Sequence, residues 1–241
     1  MTTANANPTS SITATQGTPI PAWRSVYALM LFVVITTLAT GSDLWSKHAV
    51  FDSLLAKDDL AVQTQITQDV IESHRKNYPS WPAQGTEAHA RQVLQQLHLS
   101  EPFAWPVDLT LSLNPGVVFG FNEIPDMVVN LITMIMCGVL VVMFCKSLSG
   151  DWWIHVALGF ILGGAIGNLY DRLTSSIALP GLVPIRHHVR DFIDCSDIGY
   201  KWVFNLADAW LVVGVVGLMI HWIVLHRRDL RAAKTAKESS K

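Results

Sequence analysis

The sequence has few charged residues. Asp, Glu, Lys and Arg make up 15% of its 241 residues, whereas hydrophobic residues make up 50%. This balance is too apolar for an ordinary soluble domain and indicates a membrane protein. The formal net charge of −2 provides no excess of positive charge for binding nucleic acid. We therefore expect no nucleic-acid partner.

Cysteine is also scarce. Cys137 and Cys145 lie within an apolar run, and Cys195 stands alone outside one. No pair and no metal-ligand spacing is present, which argues against a disulfide framework or a zinc site. The histidines show no such spacing either, and we interpret those of the Arg-His-His run at 186–188 as surface residues. We expect neither a metal nor another cofactor.

Charged residues are missing altogether from four windows. Each window approaches the roughly 20 apolar residues that a helix needs to cross a bilayer. Since lipid offers no partners to backbone groups, the windows should be helices. The sequence thus predicts an α-helical integral membrane protein with four transmembrane helices and a small extracytoplasmic β/α cap. The windows are residues 25–42, 127–145, 152–170 and 209–226.

Basic residues predict the orientation of these helices. Lys146 lies between the second and third windows, and a basic tail, 227–241, follows the last one. The positive-inside rule places both segments, and with four spans both termini, in the cytoplasm. Residues 1–24 contain no basic residue before Arg24, which argues against a secretory signal peptide. We expect them to form a disordered cytoplasmic extension.

The membrane domain, 25–226, contains a long extracytoplasmic insert at 48–124. Apolar spacing predicts short amphipathic helices at 57–77 and 86–99, with a turn or linker at 77–85. Residues 107–114, "VDLTLSLN", alternate strictly between apolar and polar side chains, as in a half-buried strand. The stretch "VVFGF" at 117–121 would then be the returning strand.

Polar residues collect at the predicted outer ends of the helices. Such residues cost free energy near lipid, so they usually face the bundle interior and mark function. Several of them could also have structural roles. Asp43 and Lys47 could form a helix-end ion pair. Asp171 could form a clamp with the adjacent Arg172, and Asp208 could stabilise a helix N-terminus. The set comprises Asp43, Lys47, Asn168, Asp171, Arg172, Asp191 (in an outer loop), Asn205 and Asp208.

Two carboxyl groups brought together at a partly dry site cannot both ionise easily. One keeps a proton, and the pair titrates as a unit. Such a pair can hold a water molecule, with the ionised member as general base and the protonated member as general acid. For Asp191 and Asp208 the residues alone leave catalysis and a structural role equally open.

The motifs resemble those of the lipoprotein signal peptidases, also called signal peptidase II. The first helix of that family ends in Asp followed four residues later by Lys, as Asp43 and Lys47 do here. The family's Asn-Thr-Gly-Ala-Ala-Phe segment is matched in part by Asn114, Gly116 and Phe119.

Three further motifs occur in the family's order. The family's Gly-Gly-x-x-Gly-Asn-x-x-Asp-Arg is matched in full at 163–172. Its Val-Val-Asp-Phe-Ile segment corresponds to 189–193, and its Phe-Asn-x-Ala-Asp corresponds to 204–208. The resemblance covers roughly 25–226 and places the family's two catalytic acids at Asp191 and Asp208.

The resemblance implies an intramembrane aspartic endopeptidase of the bacterial inner membrane, active near its outer face without a cofactor. It would cleave prolipoproteins before a diacylglyceryl-modified cysteine, with lipid-modified prolipoproteins and membrane lipids as partners, and we expect a monomer. Asn114, Asn168 and Arg172 are candidates for holding substrate, while Asp43 and Lys47 would support the fold. Asp171 would be occupied by Arg172 and Asn168, and Asn205 would support the site.

The chain departs from the family pattern in three places. Arg190 stands where the family usually has a small apolar residue, and the segment between Asp171 and Asp191 is longer than usual, as is the insert at 48–106. The alternative function is a small proton-coupled membrane transporter, since membrane carboxylates also relay protons. A scaffold that uses the insert as a binding module is a further alternative.

Overall fold

The computed structural model describes residues 20–56, 72, 76, 86–97, 99–116, 125–179 and 182–239. The predicted helix at 57–77, apart from positions 72 and 76, the turn at 77–85 and the returning strand at 117–121 lie outside the described residues. The α-helices are α1 (Val26–Leu55), α2 (Glu87–Leu97), α3 (Asp126–Lys146), α4 (Trp152–Thr174) and α5 (Leu206–Ser239). The strands are β1 (Ser100–Ala104), β2 (Val107–Asn114), β3 (Ser176–Ile177), β4 (Ile185–Arg186), β5 (Val189–Cys195) and β6 (Tyr200–Phe204).

Four of these helices, α1, α3, α4 and α5, are long and apolar enough to cross a membrane, which confirms the predicted fold class. Helices α1 and α5 extend more than ten residues beyond their charge-free windows. Helix α1 continues past Asp43 and Lys47 to Leu55. The prediction that these two residues end the helix was therefore wrong, because they lie inside it. Helix α5 continues to Ser239, so most of the basic tail is helical.

The glycines of α4 allow its neighbours to approach closely. A Cβ atom at Gly163 would lie 2.8 Å from the carbonyl oxygen of Thr36 in α1. A Cβ at Gly164 would collide with the carbonyl oxygen of Ala207 in α5. Small residues at such contacts let helix backbones pack tightly where no hydrophobic effect drives association. The Gly-Gly pair therefore places α4 between α1 and α5.

Residues 20–24 are ordered, in contrast to the predicted disordered extension of 1–24; residues 1–19 lie outside the described part of the chain. The Ala22 N–H donates to the carbonyl oxygen of Ser147 over 2.8 Å, and the Ser149 N–H donates to that of Ile20 over 2.9 Å. The segment is thus joined to the connection between α3 and α4. Residues 20–24 and the α3–α4 connection therefore lie at the same end of the bundle, as they do in the predicted topology.

A four-stranded antiparallel sheet, in the order β1-β2-β5-β6, lies at the other end. The strand predicted at 107–114 is confirmed as β2. Its described neighbours are β1 and β5. Asp191, which we expected in a loop, lies in β5 opposite Ser112. The acid is therefore held by a strand with partners on both sides.

The side chains of β5 alternate between its two faces, as along any strand. Asp191 points to one face, and Phe192, which is buried, points to the other. Phe192 is covered by α2, the end of α1 and the segment that joins α4 to β5. His188 in that segment is 6% exposed, so it is not the surface residue we predicted. The core consists of Phe51, Leu54, Ala90, Val93, Leu94, Leu99, Leu111, Ile177, Leu179, Leu182, Ile185 and Phe192.

Candidate active site

Helix α5 begins with a reciprocal pair of hydrogen bonds between Asn205 and Asp208. The Asn205 side-chain oxygen accepts from the Asp208 N–H over 3.1 Å. An oxygen of Asp208 accepts from the Asn205 N–H over 3.3 Å. This arrangement is a capping box, which satisfies backbone donors that the first turn of a helix leaves free. It also fixes where the Asp208 carboxyl group points.

Asp191 is buried beside this helix start, with 2% of its surface exposed. The side-chain amide of Asn205 donates to one of its oxygens, and Asn114 also bonds to its side chain. Burial, and then the neighbouring charge of Asp208, raises the pKa of Asp191 from 3.8 to about 7. The structure therefore brings the two acids that the motifs single out to one residue, Asn205.

Asn168 of α4 joins the two acids to the membrane helices. Its side-chain N–H donates to Asp208 over 2.8 Å. Its oxygen accepts from Asn205 and from the Lys47 ammonium, each over 3.1 Å. Asn168 acts here as a hydrogen-bonded bridge between α1, α4 and α5.

Asp43 and Lys47 form the expected ion pair, at 2.7 Å, with both side chains fully buried. Lys47 also lies 3.2 Å from Asp171. An oxygen of Asp43 accepts from the Ala207 N–H over 2.8 Å, so α1 satisfies a backbone donor in the first turn of α5. The pair thus fixes α5, and with it Asp208, against α1.

The partner of Asp171 differs from our prediction. We expected Arg172 and Asn168 to occupy it, whereas the carboxylate accepts three hydrogen bonds from Arg190: 3.0 Å from its N–H, and 3.1 and 2.7 Å from its guanidinium. Arg190 lies 19 positions away in the sequence, on β5, so no local spacing of residues predicts this contact. A basic residue at a position where the family usually has a small apolar residue is the sequence signal that points to it.

Arg172 faces the acids from another side. Its guanidinium lies within electrostatic reach of Asp126, Asp191 and Asp208. It also lies against Gly116, where any Cβ atom would collide with it. Gly116 has a φ of 87°, a backbone conformation that suits glycine. Its N–H donates to the Asn114 side chain over 2.8 Å, so the turn after β2 orients Asn114 and leaves room for the Arg172 guanidinium of α4. Phe119 of the same motif lies outside the described residues.

An open apolar cavity adjoins Asp208, with a volume of about 500 Å³. Its walls come from the start of α5 and from β6 with the turn before it. The alternation of aromatic residues along β6, Tyr200, Trp202 and Phe204, is a strand signal that our reading of the sequence missed. The lining residues are Cys195, Ile198, Tyr200, Phe204, Asp208, Ala209, Val212 and Val213.

Residues 84–224 match the family model described as signal peptidase (SPase) II. Curated proteins named lipoprotein signal peptidase are similar to this chain. One from Streptococcus agalactiae is 32% identical over 47% of this chain and 66% of its own length. One from Pseudomonas paraeruginosa is 32% identical over 56% of this chain and 74% of its own. One from Mycobacterium leprae is 39% identical over 47% and 52%.

A solved structure, described as a bacterial membrane enzyme determined by the in meso method, also aligns with the chain. The alignment covers 86% of this chain and 92% of that one, at 20% identity and a TM-score of 0.46.

Proposed function

The chain belongs to the signal peptidase II family, whose members remove signal peptides from prolipoproteins, and on this premise we propose that it is an aspartic endopeptidase with Asp191 and Asp208 as its catalytic residues. The observation that carries the proposal is the convergence of both acids on Asn205. One acid comes from a strand and the other from the first turn of a helix, so only the folded chain brings them together.

The two acids have different roles in this mechanism. Asp191, with its raised pKa and 2% exposure, carries the proton that the pair shares. Asp208 takes a proton from a water molecule held between the acids as that water attacks the scissile carbonyl carbon. Asp191 donates its proton to the carbonyl oxygen. When the tetrahedral intermediate collapses, the C–N bond breaks, the leaving amine takes the proton that Asp208 holds, and Asp191 takes back the proton of the hydroxyl group that becomes the carbonyl oxygen.

The substrate is a prolipoprotein cleaved before a diacylglyceryl-modified cysteine. Asn114 and Arg172 face the acids from the turn after β2 and from the end of α4, where they would hold the substrate backbone. The apolar cavity beside Asp208 suits an acyl chain or the apolar part of the signal peptide, because its walls bury hydrocarbon near the reacting bond.

We place the protein in the bacterial cytoplasmic membrane as a monomer, with both termini in the cytoplasm and the site near the outer face. All the site residues lie at the end of the bundle that carries the sheet, opposite the end where residues 20–24 meet the α3–α4 connection. The positive-inside rule assigns that opposite end, with Lys146, to the cytoplasm.

The test is cleavage of a purified diacylglyceryl-modified prolipoprotein by the protein in detergent, followed as release of the signal peptide on a gel. We expect the wild type to cleave and both Asp191→Asn and Asp208→Asn to lose activity. Asp197→Asn is the matched control, because Asp197 is exposed and lies in a short turn outside the site.

Each alternative gives a different outcome. Activity in Asp191→Asn together with its loss in Asp171→Asn would keep the enzyme class and overturn the pair of acids. A folded wild type that leaves the modified substrate intact would contradict the proposal, and full function in both Asn variants would favour a scaffold. The family match and the curated relatives give no support to the proton-coupled transporter.

A further inference from the structure

Arg190 forms three hydrogen bonds to Asp171, more than any other residue described near the two acids forms to one partner. Its backbone N–H and two guanidinium nitrogens all donate to Asp171. Its side chain is 14% exposed, and that of Asp171 is fully buried. A guanidinium that meets a carboxylate through two nitrogens is a directional contact, which an ammonium cannot reproduce. Strand β5 is therefore joined to α4 immediately before Asp191.

Arg190 also completes a charge balance inside the protein. The buried cluster contains two carboxylates, Asp43 and Asp171, and the ammonium of Lys47. Arg190 supplies the second positive charge. An unbalanced charge in such a site carries a large desolvation cost. Without Arg190, Lys47 alone would face both carboxylates.

The cluster reaches Asp208 as well as Asp191. Lys47 contacts Asp171 on one side and donates to Asn168 on the other, and Asn168 donates to Asp208. If Lys47 is drawn toward an uncompensated Asp171, the hydrogen bond that holds Asn168 weakens. One arginine thus bears on both acids, through the strand for Asp191 and through hydrogen bonds for Asp208.

We propose that Arg190 is a positioning residue for the cleavage reaction, which fixes β5 against α4 through Asp171 and balances the buried charges that hold Asp208. It does not contact the reacting atoms. The proposal rests on the proposed function, in which Asp191 and Asp208 act together.

The pKa of Asp191 is a measurable quantity that would not change if Arg190 had only a structural role. The groups that face Asp191 come from five places in the chain: Asp208 of α5, Asn205 just before α5, Asn114 of β2, Lys47 of α1 and Arg172 of α4. Without Arg190, Lys47 is drawn toward Asp171, and its charge, which favours the ionised form of Asp191, moves away from that carboxyl group. The pKa of Asp191 should therefore rise in Arg190→Met.

The experiment compares wild type, Arg190→Met, Arg190→Lys and the double variant Asp171→Asn/Arg190→Met, with Arg186→Met as control. Arg186 is exposed in the same segment. For Arg190→Met we expect kcat to fall about 10- to 100-fold with KM nearly unchanged, since the loss is one of alignment. Arg190→Lys should recover part of kcat. The double variant should restore the wild-type pH profile, because it removes both opposite charges.

A kcat and pH profile of Arg190→Met equal to those of Arg186→Met would overturn the proposal. So would a loss of kcat with an unchanged pH profile in both the single and the double variant, which indicates misfolding alone. Infrared titration of the protonated carboxyl band, assigned with Asp191→Asn, measures the shift without any substrate. If the wild type fails to cleave, the proposed function fails, while this titration still decides the role of Arg190.

Discussion

Single residues in this site act through several bonds at once. Asn205 uses its oxygen to cap α5 at the Asp208 N–H and its amide to hold Asp191 and Asn168. Geometry at the acids and stability of the helix start are therefore set by the same side chain. This coupling explains why an asparagine, whose oxygen accepts and whose amide donates twice, occupies the position.

The protonation of Asp191 predicts a pH limit for activity. Because burial and Asp208 raise its pKa from 3.8 to about 7, the general acid loses its proton above that pH, and kcat should fall about tenfold per pH unit. The stability that this carboxyl contributes is fully present below pH 3.8 and is lost as the pH rises through about 7.

The measurement is the cleavage rate over roughly pH 5 to 9, together with the unfolding temperature at each pH. Asp197→Asn should follow the wild-type curve. A rate that keeps rising across this range would show that Asp191 is not the proton donor.

The roles of individual residues were only partly predictable from the sequence. The motifs single out Asp191 and Asp208, and the spacing of Asp43 and Lys47 by one helical turn predicts their pairing. The partner of Asp171 was not predictable, because Arg190 reaches it only after β5 packs beside α4. Similarly, His188 becomes buried because α2 packs against the segment that contains it, where Arg91 of α2 contacts its ring.

At the scale of the elements, hydropathy predicts which residues are exposed to lipid better than it predicts where a helix ends. Helix α3 differs from its predicted window by one residue at each end. Helix α1 does not end at Asp43, because that charge is paired inside the bundle and never meets lipid. Strand β5 escaped prediction because each of its faces mixes apolar and charged side chains, so that the run "VRDFIDC" lacks apolar alternation.

The glycine contacts of α4 yield a prediction about helix packing. A Cβ at Gly163 would lie 2.5 Å from that of Ala39 and 2.8 Å from the Thr36 oxygen, so Gly163→Ala must move α1 away from α4. We expect it to destabilise the protein by about 1–3 kcal/mol and to lower activity, since α1 holds the start of α5. Thermal unfolding in detergent, with activity measured in parallel, provides the comparison.

Gly138→Ala is the matched control for this prediction. Gly138 lies in a membrane helix as Gly163 does, but no atom lies within 4 Å of a Cβ placed there. It should be neutral or stabilising by roughly 0.5–1 kcal/mol, because alanine favours a helix over glycine. Equal unfolding temperatures for the two variants would contradict the proposed close contact.

At the scale of the whole molecule, the two ends of the bundle are distinct. One end carries the sheet and the acids, and the other joins residues 20–24 to the α3–α4 connection. The orientation can be tested in a Cys195→Ser background, in which the remaining cysteines, Cys137 and Cys145, lie within membrane helix α3. If the proposed orientation is right, Asp197→Cys in this background should react with a membrane-impermeant thiol reagent in intact spheroplasts. Ala236→Cys, near the end of α5, should react only after lysis.

The reverse pattern would place the acids at the cytoplasmic face and contradict the orientation. Reaction of both cysteines before lysis would show leaky spheroplasts, which a cytoplasmic marker enzyme detects independently. Ser239→Cys, three residues further along the same helix, should behave as Ala236→Cys does and so checks the assignment.

The unbroken course of α5 has a mechanical consequence. At about 1.5 Å per residue, its 34 residues form a rod of about 51 Å, longer than the roughly 30 Å hydrocarbon core. Asp208 occupies one tip of this rod and the basic residues occupy the other. A domain fused to the far tip would therefore be joined to the Asp208 tip by one unbroken helix.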